Sequence, residues 1–423
     1  MSFLKHLPPM LALPLELRDR IYADVLLYSH RSAQFLRVCR QIYLEAQKFI
    51  FKRPLSFDSQ VELYGWLKMV GTKNLHHVTS VSLRLQDIDL SPLLSSLNRY
   101  MPRLHCWDLY EIELETLSDA LLRLSNIHSF TISKATPYLN HSYLYREFLF
   151  SFSVLVGRCH KKLRHMTLEE DLPSLGFLAS MQNLRSFQFT GSSIAPPGDA
   201  AAILTKLPLL TELAIVAQPA KPATPSFGAQ RQFSARGHSQ SLTADVLRNL
   251  RPLVSFAIHE ESALGSSEGT FFNPDFFGAL TDAHRLSLRT LRLSLDFNPD
   301  INCQSALHNF LHDSWVQRLD ISWPNLDPEI LERLLPRSIQ SLRVSVESYA
   351  GAFDILWGII RSRAETPFLH EVFLVADWAT LDYCQDAYEV YGITSSELDL
   401  AVTELRHSGI RTLKTSHLGF DIK

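Results

Sequence analysis

The chain has 423 residues, 46% of them hydrophobic and 20% charged, with a formal net charge of -3. That length and composition fit a globular chain with one large or two ordinary cores. The near-neutral balance excludes a general attraction to nucleic acid or to an anionic membrane surface. No apolar run reaches the roughly 18 residues needed to span a bilayer.

The five cysteines, Cys39, Cys106, Cys159, Cys303 and Cys384, are scattered and odd in number. This argues against a disulfide framework and for a reducing compartment, cytoplasmic or nuclear. At the start, a lysine precedes a short apolar patch, but prolines interrupt the patch and no small-x-small site closes it, so no secretory signal is expected. The sequon Asn140-His141-Ser142 is then a chance match.

A helix is expected to begin at Leu13-Pro14-Leu15-Glu16-Leu17. Pro14 suits a first-turn position, and Glu16 and Asp19 favour the positive end of the helix dipole. Leu17, Ile21, Val25 and Leu26 form its apolar stripe. A second helix is expected through "SAQFLRVCRQIYLEAQKFIF", with Phe35, Val38, Ile42 and Ala46 or Phe49 inward, followed by a short extended strand at "RPLSFD". Two short helices have a small core and need a partner or a neighbouring domain.

The elements Leu13-Pro14, Leu15-Glu16-Leu17, Ile21, Leu26 and Val38-Cys39-Arg40 resemble an F-box. The Cys-Arg-x-Ile-x-x-Glu-Ala helix leading into an extended strand is closer still to the F-box-like N-terminal modules common in fungal proteins. Tyr43 stands near the place where an F-box has tryptophan, and the segment between the helices is shorter. The resemblance implies docking on an Skp-type adaptor and a cullin scaffold, with Leu13, Pro14, Leu17, Ile21 and Val25 making an apolar helix-on-helix contact. The alternative is that these helices only cap the open end of the domain that follows, as solenoids require.

From Val78 onward a frame of apolar-x-x-apolar-x-apolar recurs. It reads VTSVSL at Val78, LHCWDL at Leu104, IHSFTI at Ile127, LRHMTL at Leu163, LRSFQF at Leu184 and LTELAI at Leu210. It continues as LVSFAI at Leu253, LRTLRL at Leu288, VQRLDI at Val316, IQSLRV at Ile339, LHEVFL at Leu369 and, weakly, IRTLKT at Ile410. The last four residues of each copy alternate, so two apolar side chains share one side of a strand, and the leading apolar residue enters from the turn before it. Such a unit buries its apolar side only against neighbouring units. Helix-compatible stretches lie between copies, among them Leu114 to Leu124, where Leu117, Ala120, Leu121 and Leu124 share a face, and Pro328 to Leu335.

The series resembles a leucine-rich-repeat protein of the longer, irregular class, though few copies carry the family's Asn or Cys beyond the strand. The expected fold is therefore α/β: an N-terminal short helical F-box-like module with a linking segment over 1–72, then a leucine-rich-repeat solenoid over 73–423. Parallel strands would lie on the concave face, with helices or loops on the convex face. Ala217 to Ser241, rich in Pro, Ser, Ala, Gln and Gly, is expected to be a mobile loop. His259 to Asp275 is expected to be a second insertion.

In such an architecture the strand residues that point away from the core would contact a target protein. They are Tyr110, Glu169, Gln188, His259, Arg292, Arg318, Asp320, Arg343, Glu371 and Phe373, with smaller Ser80, Ser82, Ser129 and Thr131 earlier. Arginines and aromatics are typical interface anchors.

Reaction motifs are weak. No phosphate loop, dinucleotide fingerprint, H-E-x-x-H or paired C-x-x-C is present. The string Gly265 to Gly269 places Ser267 in a G-x-S-x-G frame without the strand and helix that a nucleophile elbow needs. Cys159-His160 with His165, and His76-His77, read as surface residues rather than metal ligands, and Glu169-Glu170-Asp171 as a solvated edge. The resulting expectation is a non-enzymatic protein-binding receptor without cofactor or metal, the substrate-recognition subunit of an SCF-type ubiquitin ligase. The alternative is a stand-alone repeat scaffold.

Overall fold

Eleven of the twelve frames fold as strands, and all of these but the last present an apolar row to a core. The computed structural model describes residues 9–28, 33–88, 106–133, 142–190, 193, 196–217, 243–260, 271–378, 381 and 395–415. The chain divides into two units, 1–172 with 177–184, and 173–176 with 185–423. The loop expected at 217–241 falls, from 218 on, outside the described residues, as do Cys384 and Gly265 to Gly269 with Ser267.

The first unit opens with α1 (Leu15–Ala23), a π turn at Asp24–Tyr28, a 3-10 turn at Ala33–Arg37 and α2 (Arg40–Lys52). Tyr22, Leu26, Leu36, Ile42, Ala46 and Phe49 form a closed core of their own, with Val25 and Phe35 packed against it. Val38 points outward, 66% exposed, contrary to the sequence expectation. The reason is local: Cys39 is extended (φ -159°) and starts a new helix, so the apolar spacing does not run on from Phe35. Tyr22, fully buried, takes the inward place instead, between the rings of Phe35 and Phe49 at 6.0 and 6.3 Å.

The strand expected after α2 forms as β1 (Leu55–Phe57) and pairs in parallel with β2 (Ser80–Arg84). α3 (Gln60–Met69) and α4 (Thr72–Leu75) lie between them. β2 pairs in parallel with β3 (Ser129–Ser133), and β3 with β4 (His165–Leu168). The connections are α5 (Cys106–Arg123) and α6 (Ser142–Cys159), the helical crossovers that parallel pairing requires.

One frame fails here. At the Leu104 copy, residues from Cys106 on belong to α5. Trp107, Tyr110, Leu114, Leu117 and Leu121 follow helical spacing, and a short apolar run satisfies either period. Tyr110 therefore lies fully buried on a helix, its hydroxyl donating to Asp87 at 2.6 Å, and not on a strand face.

The second unit holds β5 (Ser186–Phe189), β6 (Glu212–Ala217), β7 (Ser255–Glu260), β8 (Thr290–Leu295), β9 (Arg318–Ser322), β10 (Ser341–Ser345), β11 (Glu371–Val375) and β12 (Arg411–Thr415). Each is parallel to the next in sequence. The intervening helices are α7 (Pro197–Leu204), α8 (Ala244–Asn249), α9 (Pro274–His284), α10 (Ile301–Asp313), α11 (Pro328–Leu334), α12 (Tyr349–Arg361) and α13 (Ser395–His407), and consecutive helices pack on one another. Side chains set their starts: Asn273, Asp300, Asp327 and Ser348 accept backbone N–H bonds from Phe276, Cys303, Glu329 and Gly351.

The buried rows run straight across the strands. Phe256, Leu291, Leu319, Leu342 and Val372 share one row, and Ile258, Leu293, Ile321, Val344 and Leu374 the next. At β12 the row slips. Thr412 and Lys414 pair with Val372 and Leu374, and Leu413 pairs with Phe373 on the open side, 41% exposed. Gly409, in a left-handed turn (φ 83°), brings the chain back one residue early, and a one-residue shift exchanges the two faces.

The expected insertion at His259 to Asp275 is also narrower than its sequence suggested. His259 and Glu260 finish β7, and Phe271, Phe272 and Phe276 form a buried aromatic group at the start of α9. Glu260 is itself buried, and its carboxylate accepts the backbone N–H groups of Phe271 and Phe272, both at 2.8 Å. It clasps together the two ends of the intervening residues. No helix among the described residues is long and apolar enough to cross a membrane.

Candidate functional site

The residues expected to meet an adaptor sit on and just before α1. Pro14 caps the helix from an extended conformation, and Leu17 is 45% exposed. Leu13 and Ile21 are half-buried, and Val25 turns toward the module's own core. Leu15, part of the resemblance but not among the expected adaptor contacts, is 46% exposed beside them. α2 exposes Tyr43 and Leu44.

Beneath this surface the Cys-Arg-x-Ile-x-x-Glu-Ala motif has a structural task. Glu45 receives both arms of the Arg18 guanidinium, Nε at 2.8 Å and Nη2 at 2.7 Å, and the Tyr22 hydroxyl at 2.8 Å. Arg18 also donates to the Leu13 carbonyl. The Arg18 hydrogen bonds hold the Glu45 carboxyl down to about 2, and burial with the Glu45 bond pushes the Tyr22 phenol up to about 12. This network ties α1 to α2 while leaving Leu15 and Leu17 outside it.

The open strand face of the second unit carries most of the residues expected to bind a target. Across it, register places Gln188, Ala214, Ala257, Arg292, Asp320, Arg343, Phe373 and Leu413 in one row. Two residues earlier on each strand run Glu212, Ser255, Thr290, Arg318, Ser341, Glu371 and Arg411. Asp320 sits between two arginines, 2.8 Å from Arg292 Nε and 3.9 Å from Arg343 Nε. Burial raises the Asp320 carboxyl, against the pull of Arg292 and Arg343.

A pocket of ≈ 530 Å³ opens beside this group, lined by Glu212, Ala257, Arg289, Arg292, Arg318, Asp320, Arg343 and Phe373 among others. Ala257 gives it depth, because a small side chain stands next to the long Arg292. Arg289 leans over the Trp315 ring at 5.5 Å. Arg318 is exposed, and its side chain makes no hydrogen bond or ion pair among the described residues. Glu371 lies 3.8 Å from Arg411, and His259 Nδ1 lies 2.9 Å from Ser294 Oγ. Arg292, Arg318, Asp320, Arg343 and Phe373 are thus brought together. Gln188, His259 and Glu371 share the face without lining the pocket.

Glu169 belongs to the first unit, where its N–H donates to Ile132. On that unit's open face Ser80, Ser82, Ser129 and Thr131 are half-buried, and Ser82 and Ser133 hydroxyls meet at 3.0 Å.

The remaining candidates for chemistry are dispersed. His160 is not a surface residue: its ring is buried against Phe130, and neither ring nitrogen has a partner among the described residues. Burial lowers its pKa to about 4 and raises that of the Cys159 thiol. The His76 and His77 rings lie 3.8 Å apart, tilted by 44°. Among the described residues no group of three or more His, Cys, Asp or Glu is arranged to hold a metal ion. In comparison with known proteins, the chain matches no family model and no curated sequence.

Proposed function

We propose that the chain is a non-enzymatic receptor that joins two proteins: an Skp-type adaptor at its N-terminal helices and a target on the open strand face of its repeats. In this reading the repeats are leucine-rich repeats, and the adaptor leads to a cullin scaffold, which makes the chain a substrate-recognition subunit of an SCF-type ubiquitin ligase. It does no covalent chemistry; it raises the effective concentration of the target near a partner enzyme.

The observation that carries the reading is the exposure of Leu15 and Leu17, near 45% each, on a module whose core is already closed. Exposed leucines that a closed core does not use are available for an apolar helix-on-helix contact. A second reading, in which the helices only cap the repeats, draws on β1, which follows α2 directly and pairs with the edge of β2. A cap and a docking face are compatible, because β1 and the outer side of α1 are different surfaces.

The test is co-purification of the full chain with an Skp-type adaptor, with and without Leu17→Asp. The exposed position lets the variant fold, so an unchanged thermal transition with loss of the adaptor is the expected result. Absence of the adaptor from the wild-type sample overturns the receptor reading and leaves the scaffold.

A further inference from the structure

We propose that the pocket on the second unit binds a short acidic segment of a protein, with its anionic side chains on Arg318 and Arg343 and an apolar side chain on Phe373 and Leu413. The proposal deepens the receptor reading and rests on it for the source of the segment.

Three observations point to this chemistry. The first is charge. The lining holds Arg289, Arg292, Arg318 and Arg343 against Glu212 and Asp320, four positive groups to two negative, on a chain whose overall charge is -3. The excess is local, so its field is directed at this pocket rather than spread over the surface. Asp320 lies between Arg292 and Arg343 and holds the two guanidinium groups at the pocket wall. Arg318 stands two residues before it on the same strand and adds an exposed fork to the same side. A guanidinium matches carboxylate or phosphate by paired N–H bonds, which a lysine in its place would not do.

The second observation is the apolar border. Phe373 lines the pocket next to Arg343, and the register slip at β12 sets Leu413 beside Phe373 on the open side. A small inorganic anion has no use for that border. A peptide that carries an apolar residue near its acidic ones uses both.

The third observation is the limit on length. Glu212 stands at one end of the row containing Arg318 and Glu371 toward the other. A continuous polyanion laid across the strands would meet both carboxylates. Strands lie about 4.8 Å apart and an extended peptide advances about 3.4 Å per residue, so a few residues cover the arginines between them. A discrete acidic segment therefore fits better than a nucleic acid.

The anionic groups could be Asp and Glu or phosphorylated Ser, and the probes separate them. Fluorescein-labelled peptides of about a dozen residues are titrated against the full chain by anisotropy: one with glutamates around a central leucine, one with phosphoserines in their place and one with lysines. The expected result is binding of a glutamate or phosphoserine peptide at least about tenfold tighter than the lysine peptide, weakening as salt rises from about 0.05 to about 0.3 M. Arg318→Glu should weaken it by a further factor of about ten, and Phe373→Ser should weaken it at every salt concentration. Arg333→Glu, on exposed α11, should leave it unchanged. Which anionic peptide wins identifies the source. Equal binding of acidic and basic peptides, no binding of either acidic peptide, or an Arg318→Glu variant that binds like wild type overturns the proposal. So does a single-stranded oligonucleotide that outcompetes the acidic peptides. Adaptor capture is read on the wild-type sample used for the titrations: absence of the adaptor with acidic-peptide binding intact counts against the receptor reading alone, and adaptor capture without acidic-peptide binding counts against the pocket alone.

Discussion

Glu45 holds Arg18 through two hydrogen bonds of 2.8 and 2.7 Å, joining the two N-terminal helices across 27 residues of sequence. A forked ion pair of this kind positions α1, and α1 is the element that bears Leu15 and Leu17. Glu45→Gln keeps the shape and removes the charge. The expected outcome is a thermal transition lowered by about 2 to 5 °C at pH 7, read by circular dichroism, with faster amide exchange in residues 15–52. Because the folded-state carboxyl is held at about 2, below its ordinary value of 4.5, its contribution is present above 4.5 and is lost as pH falls toward 2. Wild type and variant should therefore converge at pH 3 and below, and a gap that persists there would refute the assignment.

His160 supplies a pH dependence of its own. Its imidazole is buried without a hydrogen bond among the described residues, and burial lowers its pKa from 6.5 to about 4. A group whose charged form is disfavoured in the fold gives full stability above 6.5 and loses it progressively as pH falls toward 4. The loss amounts to no more than about 3 kcal/mol. His160→Leu removes this titration and two unsatisfied nitrogens, so between pH 7.5 and pH 5 it should lose less stability to urea than wild type does. A variant as acid-sensitive as wild type would show that the proton goes elsewhere.

Glu260 works with the opposite sign in the second unit. Burial raises its carboxyl from 4.5 to about 7, against the lowering effect of the Phe272 and Phe271 N–H bonds. Its protonated form suits the fold, so this contribution is present below 4.5 and declines as pH rises through 7. Glu260→Gln should flatten the loss of stability between pH 4.5 and pH 7. Glu260→Ala leaves two backbone N–H groups without their acceptor and should cost about 2 to 4 kcal/mol at pH 5, and less as pH rises through 7. Amide exchange across Phe256 to Leu280 reports both, and protection unchanged in the alanine variant would dismiss the clasp.

The strands were legible because their signal is a single period repeated many times. Leu288, Leu291 and Leu293 state it plainly, and all three are fully buried. The Leu104 copy misled because its apolar spacing also fits the helix that carries Tyr110. Leu413 misled because the turn at Gly409, which shifts its strand by one residue, leaves no mark in an apolar-x-x-apolar string. The arginines of the candidate site could be found by counting alternate strand residues. Their pocket could not, since Ala257 deepens it only once parallel register sets it beside Arg292. Tyr22 escaped notice because its partner Glu45 is distant in sequence, although the Glu of the Cys-Arg-x-Ile-x-x-Glu-Ala motif shares a helical face with Ile42 and Ala46 and so marks the buried side.

The clasp at Glu260 has one more consequence. It fixes Phe271 and Phe272 directly against the end of β7, so the strand and the start of α9 are held together by a contact of their own. Foreign sequence grafted at 261–270, a fluorophore tag or a whole reporter domain, would start and finish at one firmly anchored point, and the repeats on either side would carry it as a passenger.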